Sequence, residues 1–331
     1  MDKARLQAYS APGAGRWQGA VPSKTLDKHL ATKQLEIVTA VRLGVDVFEE
    51  SFLCGLCGMC ADTKGIHCMS CTGGGDSITR HNDARDIIYH FAKRASLRPQ
   101  LEKAGLLQEP GIFLELRRPA DVLVEGLASA GPGSAPMRVA LDIKVINALG
   151  QDHIDDTMND PLKAAEAYRE KALLHNRTAE RCQAQDIRYE PVVFTCQGGV
   201  EGHAESILSL VAQAVAKAEE VEAAVIKADM LERLSICLAR HVARAIIRRT
   251  PWQVQAVPHP LQRCMREVGE AYEATASESV CMPAAAHDIR LRAGANAGED
   301  RRCADCGLAS CASCMPAAAV DAEGDTRMAD A

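Results

Sequence analysis

The apolar residues of this chain alternate between short aliphatic runs and long helical stripes. Arg118-Pro119-Ala120-Asp121-Val122-Leu123-Val124 and Val139-Ala140-Leu141-Asp142-Ile143-Lys144-Val145 read as β-strands: short, aliphatic and bounded by turn formers. The segment between them, Ala128 to Pro136, is a loop by composition. In the second run Val139, Leu141, Ile143 and Val145 share one face, and Asp142 and Lys144 the other. In the first, Ala120, Val122 and Val124 alternate with Asp121. Ile112 to Leu116 and Ile187 to Cys196 are further strand candidates, the latter centred on Val192-Val193-Phe194. Helical periodicity begins near Lys24 and runs to Leu43. It returns over Ile78 to Ala95, where Ile78, Ala84, Ile87, Ile88, Phe91 and Ala95 cluster on one face. Asp160-Pro161 opens a helix expected to reach Gln183. Two more helices follow, one from Ala204 with Ile207, Leu208, Val211, Ala214, Val215 and Ala218 in register, and one over Ala223 to Arg248. The pattern decays after Thr250-Pro251, and residues 251–331, rich in Ala, Gly, Pro and acids, are expected to be disordered. The expected class is α/β.

Length and charge constrain function only loosely. A chain of 331 residues can bury a sizeable core, and a net charge of -6 gives no global basic signature for nucleic acid. Between Ser77 and Lys103 the balance is different. Arg80, Arg85, Lys93, Arg94, Arg98 and Lys103 outnumber Asp83, Asp86 and Glu102. No apolar run approaches membrane-spanning length and no signal-peptide core is present, so an intracellular protein without a membrane partner is expected. In that setting 14 cysteines point to metal ligation or free thiols before disulfides.

The strongest single motif is Cys54-x2-Cys57, followed by His67 and Cys71, a C-x2-C-x9-H-x3-C spacing that can close a tetrahedral zinc site. Cys60 and Cys68 lie close enough in sequence to replace one of the four. Thr72-Gly73-Gly74-Gly75-Asp76 lacks the Gly-Lys-Ser/Thr of a phosphate loop and reads as a linker into a helix capped by Asp76 or Ser77. Arg80-His81-Asn82 would then fall in its first turn, where backbone N–H groups favour a phosphate. Ala11-Pro12-Gly13-Ala14-Gly15 is expected to be flexible, and the Arg240, Arg244, Arg248 stripe to be a solvated face. Cys303, Cys306, Cys311 and Cys314 form paired C-x2-C units with a very short loop between them, open to metal binding or to a cysteine-rich tail. Asp121, Asp142 and Lys144, if their strands pair, would gather two acids that can bind a divalent cation and a lysine that can hold a phosphate oxygen or a water. Taken alone, these three charges read more simply as the wet face of a hairpin.

The order of these motifs says more than any one of them. A CCHC knuckle, then Arg80-His81-Asn82, then Pro119-x-Asp121, then Asp142-x-Lys144 resembles the C-terminal region of non-LTR retrotransposons that carry a restriction-like endonuclease of the PD-(D/E)xK superfamily. The likeness extends to Val41-Arg42-Leu43-Gly44, Gln100-Leu101-Glu102-Lys103 and Ala239-Arg240-His241-Val242-Ala243-Arg244-Ala245, so it covers roughly residues 40–250. Ala120 between Pro119 and Asp121 departs from the family's Pro-Asp pair. The resemblance implies a mixed β-sheet flanked by helices, preceded by a zinc knuckle. It divides the chain into a linker and helix (1–50), the knuckle (51–76), the endonuclease domain (77–250) and a low-complexity tail (251–331). It implies Mg²⁺-dependent cleavage of DNA to prime reverse transcription, with Asp121, Asp142 and Lys144 as the core and Glu102 as a further acid. Cys54, Cys57, His67 and Cys71 would hold structural Zn²⁺. Arg80, His81 and Asn82, with Tyr168 and Lys171 on the helix after the core, would meet DNA. Element RNA and a reverse transcriptase in trans are implied partners, and the nucleus the compartment. Ile154-Asp155-Asp156 lacks the setting of a polymerase site, so this chain would not retrotranspose alone. A copy retaining the knuckle but no cleavage would remain a nucleic-acid-binding remnant.

Overall fold

The computed structural model describes residues 1–107, 118–127 and 137–250. The expected strand at 112–116, the 128–136 loop, the expected disorder of 251–331 and the four cysteines at 303–314 lie outside those residues.

The fold is mixed α/β. Helix α1 (Asp2–Ser10) and helix α2 (Thr32–Leu43) lead to a small hairpin, β1 (Phe52–Leu53) and β2 (Cys60–Ala61), and a short helix α3 (Ile66–Ser70). Helix α4 (Asp76–Arg94) precedes β3 (Gln100–Leu101), β4 (Val122–Leu127) and β5 (Met137–Ile146). Then come α5 (Ile154–Asn159), α6 (Lys163–Leu174), α7 (Thr178–Gln183), β6 (Ile187–Thr195), α8 (Gly202–Glu219) and α9 (Ala223–Arg249). The larger sheet has the order β3-β4-β5-β6. Its first two pairings are antiparallel and β5–β6 is parallel, so the sheet is mixed.

Both faces of the sheet are covered, which is why its strands read as nearly continuous apolar runs. Val122, Val124, Val139, Leu141, Ile143, Val192 and Phe194 pack under α4, α8 and α9. On the opposite face Leu123, Ala140 and Ile187 meet Cys182 of α7, and Ile146 and Val193 meet Ala164 and Ala165 of α6. The face that carries Asp142 and Lys144 is therefore helix-covered at both ends and open between them, unlike the uniformly wet face the alternation suggested. At Gly126 the backbone turns to φ +83° where the β4–β5 register shifts, a bulge that glycine makes without Cβ strain.

Helix α9 joins two cores. Its first half (Ile226, Met230, Leu234, Leu238) closes the sheet core, and its second half (Ala239, Val242, Ala243, Ile246) packs on α1, α2 and Cys68-Met69 of α3.

Several expected boundaries shift for identifiable reasons. The helix expected from Lys24 starts at Thr32, and α1, which has only Ala4 and Ala8 buried, gave no amphipathic signal. Asp76 does not cap α4. Gly75 precedes the helix in a left-handed conformation and Asp76 is its first residue. The expected helix from Asp160 to Gln183 is broken where Asn176 and Arg177 adopt φ +49° and +53°, letting α7 fold back onto β6. Asp160 does not cap that helix either: α6 starts at Lys163 after Leu162, and Asp160 Oδ1 accepts the Leu162 N–H over 2.8 Å in the turn before it. The Ala11–Gly15 segment is held in place, because the Val200 N–H donates to the Pro12 carbonyl over 2.9 Å. Among the described residues no helix is long and apolar enough to cross a membrane.

Candidate active site and metal centre

Asp121 stands at the head of β4, where Val122 lies opposite Leu141 of β5. One residue back, the Asp121 N–H donates to the Leu141 carbonyl over 2.9 Å, which sets Asp121 beside Asp142. Asp121 Oδ2 accepts the Ile143 N–H at 2.7 Å, and Oδ1 lies 3.2 Å from His81 Nε2 on α4. The three expected core residues are thus gathered. Lys144 Nζ is 2.9 Å from Asp142 Oδ1, and the Tyr189 hydroxyl donates to Asp142 Oδ2 over 2.6 Å.

The two carboxyls differ electrostatically. Burial works against the Asp121 anion, but His81, Lys144 and the Ile143 N–H outweigh it and hold its pKa below the ordinary value. Asp142 is pushed up, by burial first and then by the neighbouring charge of Asp121, with Lys144 and Tyr189 only partly offsetting this. Lys144 is raised despite burial, because Asp142 and Asp121 favour its charged form. Two half-buried acids that resist sharing negative charge are a donor set that a divalent cation would relieve.

The other expected residues divide. Glu102 lies next to Asp121 through its N–H, which donates to the Asp121 carbonyl over 3.0 Å. Its carboxylate is held by Arg85 and Arg118, each at 2.6 Å, and a carboxylate shared by two guanidiniums is a poor cation ligand. Arg80 does not face solvent as a phosphate contact would. It is 5% exposed, and Nη1 donates to the Met69 carbonyl over 3.0 Å. Because α4 begins at Asp76, the Arg80-His81-Asn82 triplet sits in the second turn and offers no free N–H groups. His81 turns to the acids, and Asn82 beside it is half-buried. Tyr168 packs on Ile146 and Val193, and its proximity favours the Lys144 ammonium. Lys171, one turn on, is exposed. Tyr189 was not foreseen, since its contact with Asp142 follows from the parallel β5–β6 register, which the sequence does not encode locally.

The candidate metal centre is compact. The ligand atoms of Cys54, Cys57, His67 and Cys71 lie within 4.8 Å of one another. Cys54 Sγ is 3.9 Å from Cys71 Sγ, and Cys57 Sγ is 3.3 Å from His67 Nε2. Tetrahedral zinc with its usual bond lengths requires edges of about 3.8 Å (S–S) and about 3.6 Å (S–N), so the donor set fits. Cys60 and Cys68, both buried, are outside this group. Asp62 accepts the Ile66 and His67 N–H groups at 3.0 and 2.7 Å and so sets the short helix that presents His67. Burial opposes the Cys54 thiolate, but N–H donors from Leu56 and Cys57 and the neighbouring thiols lower its pKa overall. The Arg249 guanidinium, fully buried, contacts Cys71 and is anchored by Asp76 Oδ2 at 2.7 Å and the Gly73 carbonyl at 2.9 Å. The stripe expected to be a solvated face keeps Arg244 and Arg248 exposed and Arg240 half-buried, and it also carries ion pairs, Arg248 with Asp76 at 2.6 Å and Arg240 with Asp27 at 2.9 Å.

No family model matches the chain, and none of the curated proteins matches it in sequence.

Proposed function

We propose that this chain is a metal-dependent DNA endonuclease domain derived from a non-LTR retrotransposon, with a zinc knuckle as its structural partner. The observation that carries the reading is Asp121, Asp142 and Lys144 meeting on paired strands, in the order of the PD-(D/E)xK motif and with the D-x-K spacing of its second half. A mixed sheet flanked by helices and a tetrahedral donor set in the expected place support it.

Asp121 and Asp142 would hold Mg²⁺, which when bound polarises the scissile phosphate and lowers the pKa of a water. Lys144 supplies a fixed positive charge beside Asp142, able to orient the attacking water or stabilise charge on the phosphoryl oxygens. His81 and the Ile143 N–H fix the Asp121 carboxylate, and Tyr189 fixes that of Asp142. Water adds to phosphorus, the P–O3′ bond breaks and the leaving oxygen takes a proton. The resulting 3′-hydroxyl is the group a reverse transcriptase in trans would extend along element RNA. The substrate places the activity in the nucleus.

Glu102 bound between two arginines leaves only two acids for cations, which favours a second reading, a nucleic-acid-binding remnant without cleavage. Plasmid nicking separates the two. Mg²⁺-dependent nicking lost in both Asp142→Asn and Lys144→Ala is expected, whereas DNA binding without nicking in the wild type would select the remnant.

A further inference from the structure

Tyr189, which holds Asp142, also forms part of the wall of a groove of about 770 Å³. The groove is bounded by the starts of β5 and β6 and by α6 and α7, and it carries Arg138, Arg169 and Arg188, with His203 beside them. The basic groups are not equivalent. Arg188 pairs with the buried carboxylate of Glu190, and His203 contacts the same carboxylate, so both side chains are already engaged. Arg138 and Arg169 have no carboxylate within ion-pair distance among the described residues, and Arg169 Nε is shut off from solvent with no hydrogen-bond acceptor. Guanidiniums that line an open groove without a carboxylate partner leave their charge available to an anionic ligand. Asp186 adds one exposed carboxylate at the rim.

The groove is aligned with the acids. Arg138 and Asp142 are four residues apart on one face of β5, about 13 Å at roughly 3.3 Å per residue. At roughly 3.4 Å per stacked nucleotide that is the span of a few nucleotides. The volume falls in the range of pockets for small ligands, roughly 300–1,000 Å³, so it suits a short stretch of one strand and not a duplex.

We propose that this groove binds the sugar-phosphate backbone of a single nucleic-acid strand adjoining the cleaved bond, with Arg138 and Arg169 as phosphate contacts. The orientation rests on the endonuclease reading, whereas the binding itself does not require cleavage.

The test uses the full chain carrying Asp142→Asn, so that DNA stays intact, and follows a fluorescein-labelled oligothymidylate by anisotropy across a range of NaCl. Adding Arg138→Gln and Arg169→Gln together is expected to weaken binding about ten-fold or more. It should also flatten the plot of log K against log[NaCl] by about 1.4, since each single-strand phosphate contact contributes roughly 0.7. Arg138→Lys with Arg169→Lys should restore the slope. If the double glutamine variant melts early, Arg138→Gln alone carries the test with a loss of about 0.7 in slope. An unchanged slope and affinity in folded glutamine variants overturns the proposal. So does a phosphorylated peptide of equal charge that displaces the oligonucleotide equally well. Nicking by the otherwise wild-type chain is measured in parallel. Groove binding without any nicking removes the endonuclease reading and leaves the groove standing, whereas nicking with no arginine dependence of binding does the reverse.

Discussion

The Tyr189 hydroxyl, on β6, donates to Oδ2 of Asp142, on β5, over 2.6 Å, while Lys144 Nζ takes the other oxygen at 2.9 Å. Asp142 is thereby fixed in orientation from both sides. It stays harder to ionise than an ordinary aspartate, because burial and the charge of Asp121 outweigh both partners. If Asp142 holds Mg²⁺ as proposed, a group that fixes it in this way is worth roughly 10–100-fold in metal affinity or activity.

Tyr189→Phe should therefore cut nicking about ten-fold at low Mg²⁺, with recovery at high Mg²⁺. The tyrosine lowers the pKa of Asp142, so its loss raises that pKa further. The acid limb of the pH profile should move to higher pH. Nicking measured against Mg²⁺ concentration and pH checks this, and an unshifted acid limb would show that Tyr189 only fills space.

The sequence announces some of this site and hides the rest for a physical reason. Asp121, Asp142 and Lys144 are legible because strand alternation and antiparallel pairing of neighbouring runs are local patterns. Tyr189 is not, because β6 reaches β5 across three intervening helices in a parallel register. The cluster of Cys54, Cys57, His67 and Cys71, which could hold zinc, is legible from spacing. The choice against Cys60 and Cys68 is not, since it depends on how β2 and α3 orient their side chains. The arginines of α9 show a further layer that spacing hides. A helical stripe of charge usually marks solvent, as Arg244 and Arg248 do here, but the partners Asp76 and Asp27, more than 170 residues away in sequence, are not legible from it.

The metal centre should bind one zinc per chain through three thiolates and one imidazole. Structural zinc contributes roughly 10–16 kcal/mol to small sites of this kind. Cys54→Ser and Cys71→Ser should lose the metal and lower the melting temperature, whereas Cys60→Ser and Cys68→Ser should retain it. Metal content by mass spectrometry, with the thiolate-to-cobalt absorption of a Co²⁺-substituted sample, distinguishes the two sets.

Asp76 holds the knuckle to the end of α9. It is 3% exposed and accepts from Arg248 and from Arg249, whose side chain is fully buried. Asp76→Ala would leave the Arg249 charge without its anion in the interior, a change that costs about 3–5 kcal/mol. Burial opposes the Asp76 anion, but the two arginines prevail and its pKa lies below the ordinary carboxylate value. A group depressed on folding stabilises above its unfolded pKa, near about 4, and loses that contribution as pH falls through its folded value. The wild type should lose stability over that acid window, and the variant should lose less. Urea denaturation at a series of pH values measures both.

Arg80 and His81 are neighbours in sequence and opposite in placement, so their variants should separate. Arg80 projects from α4 onto α3, with Nη1 on the Met69 carbonyl and Nε without an acceptor. His81 faces Asp121 Oδ1 at 3.2 Å. Arg80→Ala removes a buried guanidinium and the hydrogen bond that ties α4 to α3, so it should lower the melting temperature. The salt dependence of DNA binding should not change, because no phosphate contact is lost. His81→Ala removes a partner that favours the Asp121 anion, so the Asp121 pKa should rise. The melting temperature should hold, the Mg²⁺ requirement for nicking should increase, and the acid limb of the nicking profile should move up. If Arg80→Ala instead flattens the salt plot by the roughly 0.7–0.9 of one phosphate contact while leaving stability intact, Arg80 meets DNA after all and the inward placement is wrong.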